Sequence, residues 1–363
     1  MLTVLVTGAT GGIGLQTAKD LARLGHSVLI HGRDPRKGEA AVQAVKAAAA
    51  AGAGRDAAVG GAAGVGRDAT VGGAAGAGRD AAVGGAAGVG RDAAVGGAAD
   101  AGRDATVAGA AGAGRDTAVG GGAGAVAGST VPAVRFLQAD FASLRQVESL
   151  AAEVVASVPR LDVLINNAGC GNLSRTVTSD GYETTFAVNH LAPFLLTNLL
   201  LDKLKQSGPA RIVNVASRAH RNQEIDFDDL MSEKDYRVMR TYGRSKLANI
   251  LFTRALAKRL AGSNVTANSL HPGLIATGIG QTNPVARLGW KLIVMLRGGI
   301  SVAEGAQTSV YLATAPEVEG LSSGYYVKCR LAELQTRSEA VTDAVSEQLW
   351  QVSARLVGLP CSN

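Results

Sequence analysis

Apolar and polar positions follow two rhythms along this chain. Short apolar runs rich in Val, Ile and Leu (LTVLVTG, HSVLIHGR, AVRFLQAD, LDVLINNAG, ARIVNVAS and VTANSLHPG) recur between longer stretches where apolar residues return every three or four positions. The continuous runs read as strands buried on both faces, and the 3.6-residue stretches as helices. Helices are predicted at Ile13 to Leu24, Arg36 to about Ala50, Ser143 to Ser157, about Tyr182 to Lys205 and about Tyr236 to Leu260. Strands alternating with helices make a parallel sheet covered on both sides, so the pattern predicts an α/β protein with a single doubly wound parallel sheet, a Rossmann fold.

One stretch breaks the rhythm. The triplet GRD recurs with Arg at 55, 67, 79, 91, 103 and 115, a step of 12, in units such as GRDAAVGGAAGV that hold no aromatic and no large aliphatic residue. Side chains this small cannot bury enough apolar area to offset the entropy of ordering them. Residues 51–128 therefore read as a low-complexity, disordered insertion in a surface connection of one domain spanning 1–363. Without it about 285 residues remain, enough for one large core.

Charge narrows the partners. The chain carries a formal +6; the repeat holds six Arg and seven Asp, so the rest stands at +7. Without a block of like charge or a basic run interleaved with aromatics, no nucleic-acid partner is expected, and the balance suits an anionic small molecule. The three cysteines, Cys170, Cys329 and Cys361, lack C-x-x-C spacing, so neither a disulfide framework nor a metal site is expected. No signal-peptide pattern and no apolar run near the roughly 18 residues of a membrane span is read, which predicts a soluble, cytoplasmic chain.

The chemistry begins at TGATGGIG, which closes the first strand and opens the first helix. Gly8 can turn the chain, Gly12 lets backbone approach a pyrophosphate, and Gly14 lets helix pack on strand, with the helix N-terminus facing the phosphates. The second strand ends in HGRD. There Arg33 can pair with the 2′-phosphate of NADP, whereas an acidic residue would bind the 2′-hydroxyl of NAD, so NADP (NADPH) is favoured over NAD. Asp140, at the end of AVRFLQAD, is placed to meet an adenine amino group. In TYGRSKLANIL, Tyr242 and Lys246 stand one turn apart on one helix face.

Together with NNAG at 166–169, Asn189 in VNHLAPFLLT, Ser217 in IVNVASRAH and HPG at 271–273, these motifs resemble the short-chain dehydrogenase/reductase family in order and spacing. RIVNVASRAH, SKLANILFTRALAKRL, NSLHPG, EGAQTSVYLA and LWQVSARLVGLP are similar to its retinol dehydrogenase group. The resemblance covers nearly everything outside the repeat. It implies an NADP-dependent oxidoreductase acting on a lipophilic carbonyl or alcohol. Tyr242 would be the acid/base, Lys246 would lower the phenol's pKa and hold the nicotinamide ribose, and Ser217 would orient the substrate oxygen. Asn189 would hold a water that completes the proton relay. It further implies cofactor contacts from Ile13, Phe141, Asn167, Ala168, Gly169, Tyr242, Lys246, Pro272, Gly273 and Thr277, and it allows a homo-oligomer.

Two departures limit that implication: Cys170 and Gly171 follow NNAG where the group has two apolar residues, and the group's N-terminal hydrophobic anchor is not read here. Retinoid specificity is therefore not carried over. The segment LGWKLIVMLRGGI, with Trp290, Leu292, Ile293 and Leu296 on one face and Lys291 and Arg297 at its edges, reads as an apolar lid touching a membrane surface peripherally. Two other classes compete: a catalytically silent, cofactor-sensing or scaffold protein of the same fold, and an interaction protein working through the repeat. The repeat's lack of aromatic anchors counts against the latter.

Overall fold

The six β-branched or aliphatic runs become parallel strands of one eight-stranded sheet. A computed structural model describes residues 1–59, 132–274 and 299–360. Its strands are β1 (Thr3–Val6), β2 (Ser27–Gly32), β3 (Val134–Gln138), β4 (Val163–Asn166), β5 (Ala210–Val215), β6 (Val265–His271), β7 (Tyr325–Val327) and β8 (Arg330–Leu331). They lie in the order β3-β2-β1-β4-β5-β6-β7-β8. Every neighbouring pair is parallel except β7 with β8. The chain runs outward from β1 to β3 and returns to β4 on the other side, so the sheet reverses its winding between β1 and β4. In open sheets of this kind, such a reversal marks the place where ligands bind, outside the strands' carboxyl ends.

Among the described residues the helices are α1 (Gly12–Arg23), α2 (Pro35–Val59), α3 (Leu144–Ser157), the short α4 (Thr184–Phe186), α5 (Ala192–Gln206), α6 (Val238–Arg259), α7 (Val302–Thr314) and α8 (Asp343–Leu356). Alternation along the strands sends side chains to two cores. Leu5, Leu29, Leu164 and Ile212 pack on one side with residues of α3, α5, α6 and α8. Val4, Val28, Ile30, Val163 and Val213 pack on the other with residues of α1, α2 and α7. In α5, Leu195, Leu196, Leu200 and Leu204 are buried, each worth roughly 1.5 to 3 kcal/mol relative to exposure.

Three features differ from the sequence reading. Helix α2 continues to Val59, nine residues into the stretch assigned to the insertion, because its Ala-rich run favours helix more than Gly52 and Gly54 oppose it. A β-carbon on Gly52 would stand 2.6 Å from the Arg23 carbonyl oxygen, so α2 lies close to the end of α1 there. From residue 60 the repeat falls outside the described residues. Second, the helix expected from Tyr182 contains a π turn, Ala187–Leu191, between α4 and α5. Third, Thr184–Gln206 is long and apolar enough to cross a membrane, which the reading of short apolar runs missed; 72% of its most apolar window is buried inside the fold, as suits a core helix.

Candidate active site

Every described candidate lies at the carboxyl edge of the sheet or on a helix facing it. After β1 the chain turns at Gly8, whose φ of +64° favours glycine. A β-carbon there would come within 2.7 Å of Ala168 Cα, so the turn and the NNAG segment touch backbone to backbone. Gly12 also has positive φ, and a β-carbon on Gly14 would collide with Asn167 and the Gly8 carbonyl. Helix α1 starts behind Gly11 with no capping side chain and no acidic residue in its first turn. Its leading N–H groups, including those of Gly12, Ile13 and Gly14, have no intrahelical acceptor, and the positive end of its dipole is unneutralised. That is the cradle an anionic phosphate group requires.

Thr7 and His31, which the sequence reading did not single out, brace this turn. The buried Thr7 hydroxyl accepts from the N–H groups of Asn167 (2.9 Å) and Ala168 (3.0 Å), and Asn167 Nδ2 donates to the Thr7 carbonyl at 2.8 Å. Asn167 thus fastens the turn. His31 Nδ1 accepts from Gly8 N–H at 3.2 Å, so its proton sits on Nε2 and is donated to the Ala139 carbonyl at 3.0 Å. Burial holds this imidazole neutral, pulling its pKa down to about 4. Phe141 is buried and stacks on His31 at 4.2 Å, so its side chain belongs to the brace.

Beyond β2, Arg33 is exposed and its guanidinium makes no ion pair among the described residues. Asp34 is occupied instead: it accepts from Lys37 N–H at 3.2 Å and lies 3.9 Å from the Lys37 ammonium at the start of α2. Asp140, after β3, is partly buried and accepts from Ala142 N–H at 3.0 Å.

The remaining candidates converge from β4, β5, the π turn and α6. Asn189 is fully buried; its Oδ1 accepts from Cys170 N–H at 2.7 Å, and its Nδ2 donates to the Cys170 carbonyl and to Ser245 Oγ, both at 2.9 Å. Both amide hydrogens are engaged and one lone pair of Oδ1 remains, and the side chain pins the loop after NNAG onto α6. A β-carbon on Gly169 would stand 3.2 Å from Asn189 Oδ1 and 3.3 Å from Lys246 Nζ, so glycine here keeps the ammonium accessible.

Lys246 is buried and donates to the Val215 carbonyl at 3.0 Å; desolvation lowers its pKa to about 8. Tyr242 is partly buried on α6, with its phenol within hydrogen-bonding reach of Ser217. Burial raises the phenol's pKa, and the Ser217 contact opposes that rise.

Ser217 also caps the turn Arg218–His220 by accepting from Ala219 N–H at 3.2 Å. His220 Nδ1 donates to the Ser217 carbonyl at 2.5 Å, and His271 Nδ1 accepts from Arg218 N–H at 3.2 Å. Two histidines with opposite roles thus fix the backbone at Ser217 and Arg218. Pro272 and Gly273 follow His271, where a side chain on Gly273 would collide with Ile300. Cys170 faces this site, its thiol pushed up to about 12 chiefly by burial, which makes it a poor nucleophile. Among the described residues no His, Cys, Asp or Glu cluster fits a metal. Thr277 and the lid residues Trp290, Lys291, Leu292, Ile293, Leu296 and Arg297 lie outside the described residues.

The sequence profile of the short chain dehydrogenases matches residues 2–68 and 81–286. Retinol dehydrogenase 14 is 48% identical in Mus musculus and 49% in Homo sapiens, each over 222 residues, 61% of this chain. Those matches span 66% of each relative's length, just under two thirds. Retinol dehydrogenase 11 of Mus musculus is 33% identical over 356 residues, covering 98% of this chain and 86% of its own. Among solved structures, an uncharacterized protein from Mycobacterium Paratuberculosis superposes with TM-score 0.61 at 25% identity, over 100% of this chain and 96% of its own. A short-chain type dehydrogenase/reductase from Mycobacterium ulcerans shares the fold with TM-score 0.55 at 19% identity, over 89% and 86%.

Proposed function

The chain belongs to the short-chain dehydrogenase family, and from that premise we propose that it is an NADP-dependent oxidoreductase interconverting an alcohol and an aldehyde or ketone of an apolar substrate. The observation that carries this reading is the convergence of Ser217, Tyr242 and Lys246 beside Gly169, with the uncapped start of α1 at the same edge of the sheet. The bound nicotinamide would supply or accept the hydride. Tyr242 gives its phenolic proton to the carbonyl oxygen in reduction and withdraws it in oxidation. The Ser217 hydroxyl orients that oxygen, on a backbone that His220 and His271 fix at Ser217 and Arg218. The Lys246 ammonium lowers the cost of a phenolate and binds the nicotinamide ribose. A relay water would be held at Asn189, by its backbone carbonyl in the π turn or by the free lone pair of Oδ1, while the side chain's bonds to Cys170 and Ser245 fix that turn.

The residues present fit the cofactor. Gly8, Gly12, Ile13 and Gly14 would hold its phosphates, Asp140 its adenine, and Asn167, Ala168, Gly169, Pro272 and Gly273 would line its path along the sheet edge. NADP is preferred because Arg33 is unpaired while Asp34 is engaged at the start of α2. The purified chain is expected to oxidise NADPH faster than NADH across aldehydes of increasing length. A complete lack of turnover with both cofactors would favour the catalytically silent reading.

A further inference from the structure

His190 follows Asn189 in the π turn and is completely buried. Its Nε2 lies 2.8 Å from Ser353 Oγ of α8. Phe186, Phe194 and Phe252 surround the ring at centroid distances of 5.0, 6.0 and 6.2 Å. The other ring nitrogen, Nδ1, and the buried Oδ1 of Asn249 both lack a hydrogen bond of regular geometry, and the two side chains lie within reach of one another. Two buried polar atoms, one able to donate and one able to accept, can each supply what the other lacks.

That pairing assigns the protons. The Ser353 hydroxyl donates to Nε2, so the neutral imidazole carries its proton on Nδ1 and donates it to Asn249 Oδ1. The amide of Asn249 is then turned with Nδ2 toward the Val215 carbonyl, 3.4 Å away. The same carbonyl accepts from Lys246 Nζ at 3.0 Å. Were the amide flipped, Oδ1 would face the Val215 oxygen, two acceptors would repel, and the carbonyl that aims Lys246 would turn away.

We propose that His190 is a positioning residue for Lys246: it fixes the Asn249 amide that steadies the Val215 carbonyl, and through Ser353 it ties the catalytic lysine to the C-terminal helix α8. The inference rests on the role given to Lys246 above. It assigns work to a side chain that touches neither substrate nor cofactor, and it makes α8 part of the catalytic support.

Three variants test it. His190→Phe keeps the aromatic packing and loses both ring nitrogens; His190→Asn places an amide N–H where Nδ1–H stood; Ser353→Ala removes the hydroxyl alone. In His190→Phe, kcat is expected to fall about tenfold and cofactor affinity to weaken by a smaller factor, as a misaimed Lys246 serves both the phenol and the ribose less well. His190→Asn should recover most of that loss. A second readout needs no turnover: acetylation of Lys246 in competition with the other lysines, followed by mass spectrometry, should rise about threefold or more in His190→Phe as the ammonium is released. It should stay near wild type in His190→Asn. Should His190→Phe fail to fold, Ser353→Ala carries the test, with a smaller rise in Lys246 acetylation. Unchanged acetylation in the variant that folds, or an equal rise in the Phe and Asn variants, overturns the inference. If the wild type turns over no carbonyl substrate while Lys246 acetylation still follows the His190 series, the coupling stands and the proposed reaction falls.

Discussion

Lys246 Nζ lies 5.8 Å from the centre of the Tyr242 ring, one turn along the same helix, and directs its proton donor to the Val215 carbonyl. The ammonium thus makes no hydrogen bond to the phenol here, and it is Ser217 that opposes the rise in the phenol's pKa. On the proposed mechanism, replacing Tyr242 by Phe removes the proton donor and almost nothing of the surface that would hold the cofactor. Turnover should drop by about 10² to 10⁴, with NADPH affinity nearly unchanged. Retention of more than about a tenth of wild-type turnover would remove Tyr242 from the acid/base role.

Burying the Lys246 ammonium carries a stability cost. Its folded pKa of about 8 lies below the ordinary 10.5, so the unfolded chain binds this proton more tightly. The penalty is present in full below pH 8 and fades as pH rises from about 8 towards 10.5. Lys246→Met should therefore be inactive yet more stable at pH 7. The gain is roughly 3 kcal/mol at most, less the lost bond to Val215, and it should shrink by pH 10. Urea denaturation at the two pH values measures this; a less stable Met variant at pH 7 contradicts it.

Gly243 sits between Tyr242 and Lys246 on α6, where a β-carbon would collide with the Ala219 carbonyl oxygen and stand 2.9 Å from Gln223 Cγ. On an exposed helix, Gly→Ala gains about 1 kcal/mol. Here Gly243→Ala should instead destabilise by about 1 to 3 kcal/mol, and it should lower kcat by pushing the Ser217 turn out of line. A raised melting temperature would show that the turn can yield.

Arg33→Ala tests the cofactor preference. A charge-assisted contact is worth about 1.5 to 3 kcal/mol, so NADPH should lose roughly tenfold or more in affinity while NADH changes little. Equal weakening of both would make Arg33 structural.

The repeat is addressed by joining Val59 to residue 129 through about six residues, which keeps all of α2. The β2–β3 register, Val28 with Val134 through Gly32 with Gln138, is built from residues outside the deletion. Closure entropy changes by only about 0.6 kcal/mol per doubling of loop length, so cofactor affinity and turnover should stay within about twofold. Size-exclusion chromatography at several salt concentrations checks the rival reading. A salt-sensitive change of oligomer, or collapsed activity, would assign the repeat a function.

The sequence by itself determined the alternation of strand and helix, the glycine turn after β1, and the spacing of Tyr242 and Lys246. These are local properties: strand burial on both faces removes polar residues from a run, and helix geometry alone puts positions four apart on one face. Tertiary structure decided what those residues touch. It closed the Asn189 side chain onto Cys170 and Ser245, moved Phe141 into a stack on His31, and gave Arg33 open surroundings while engaging Asp34. It also added Thr7, His31, Gly243 and His190, whose partners lie up to 163 residues away along the chain. No periodicity encodes such pairs, because a hydrogen bond or a close approach depends on which segments the folded sheet brings together, and that is a property of the whole chain.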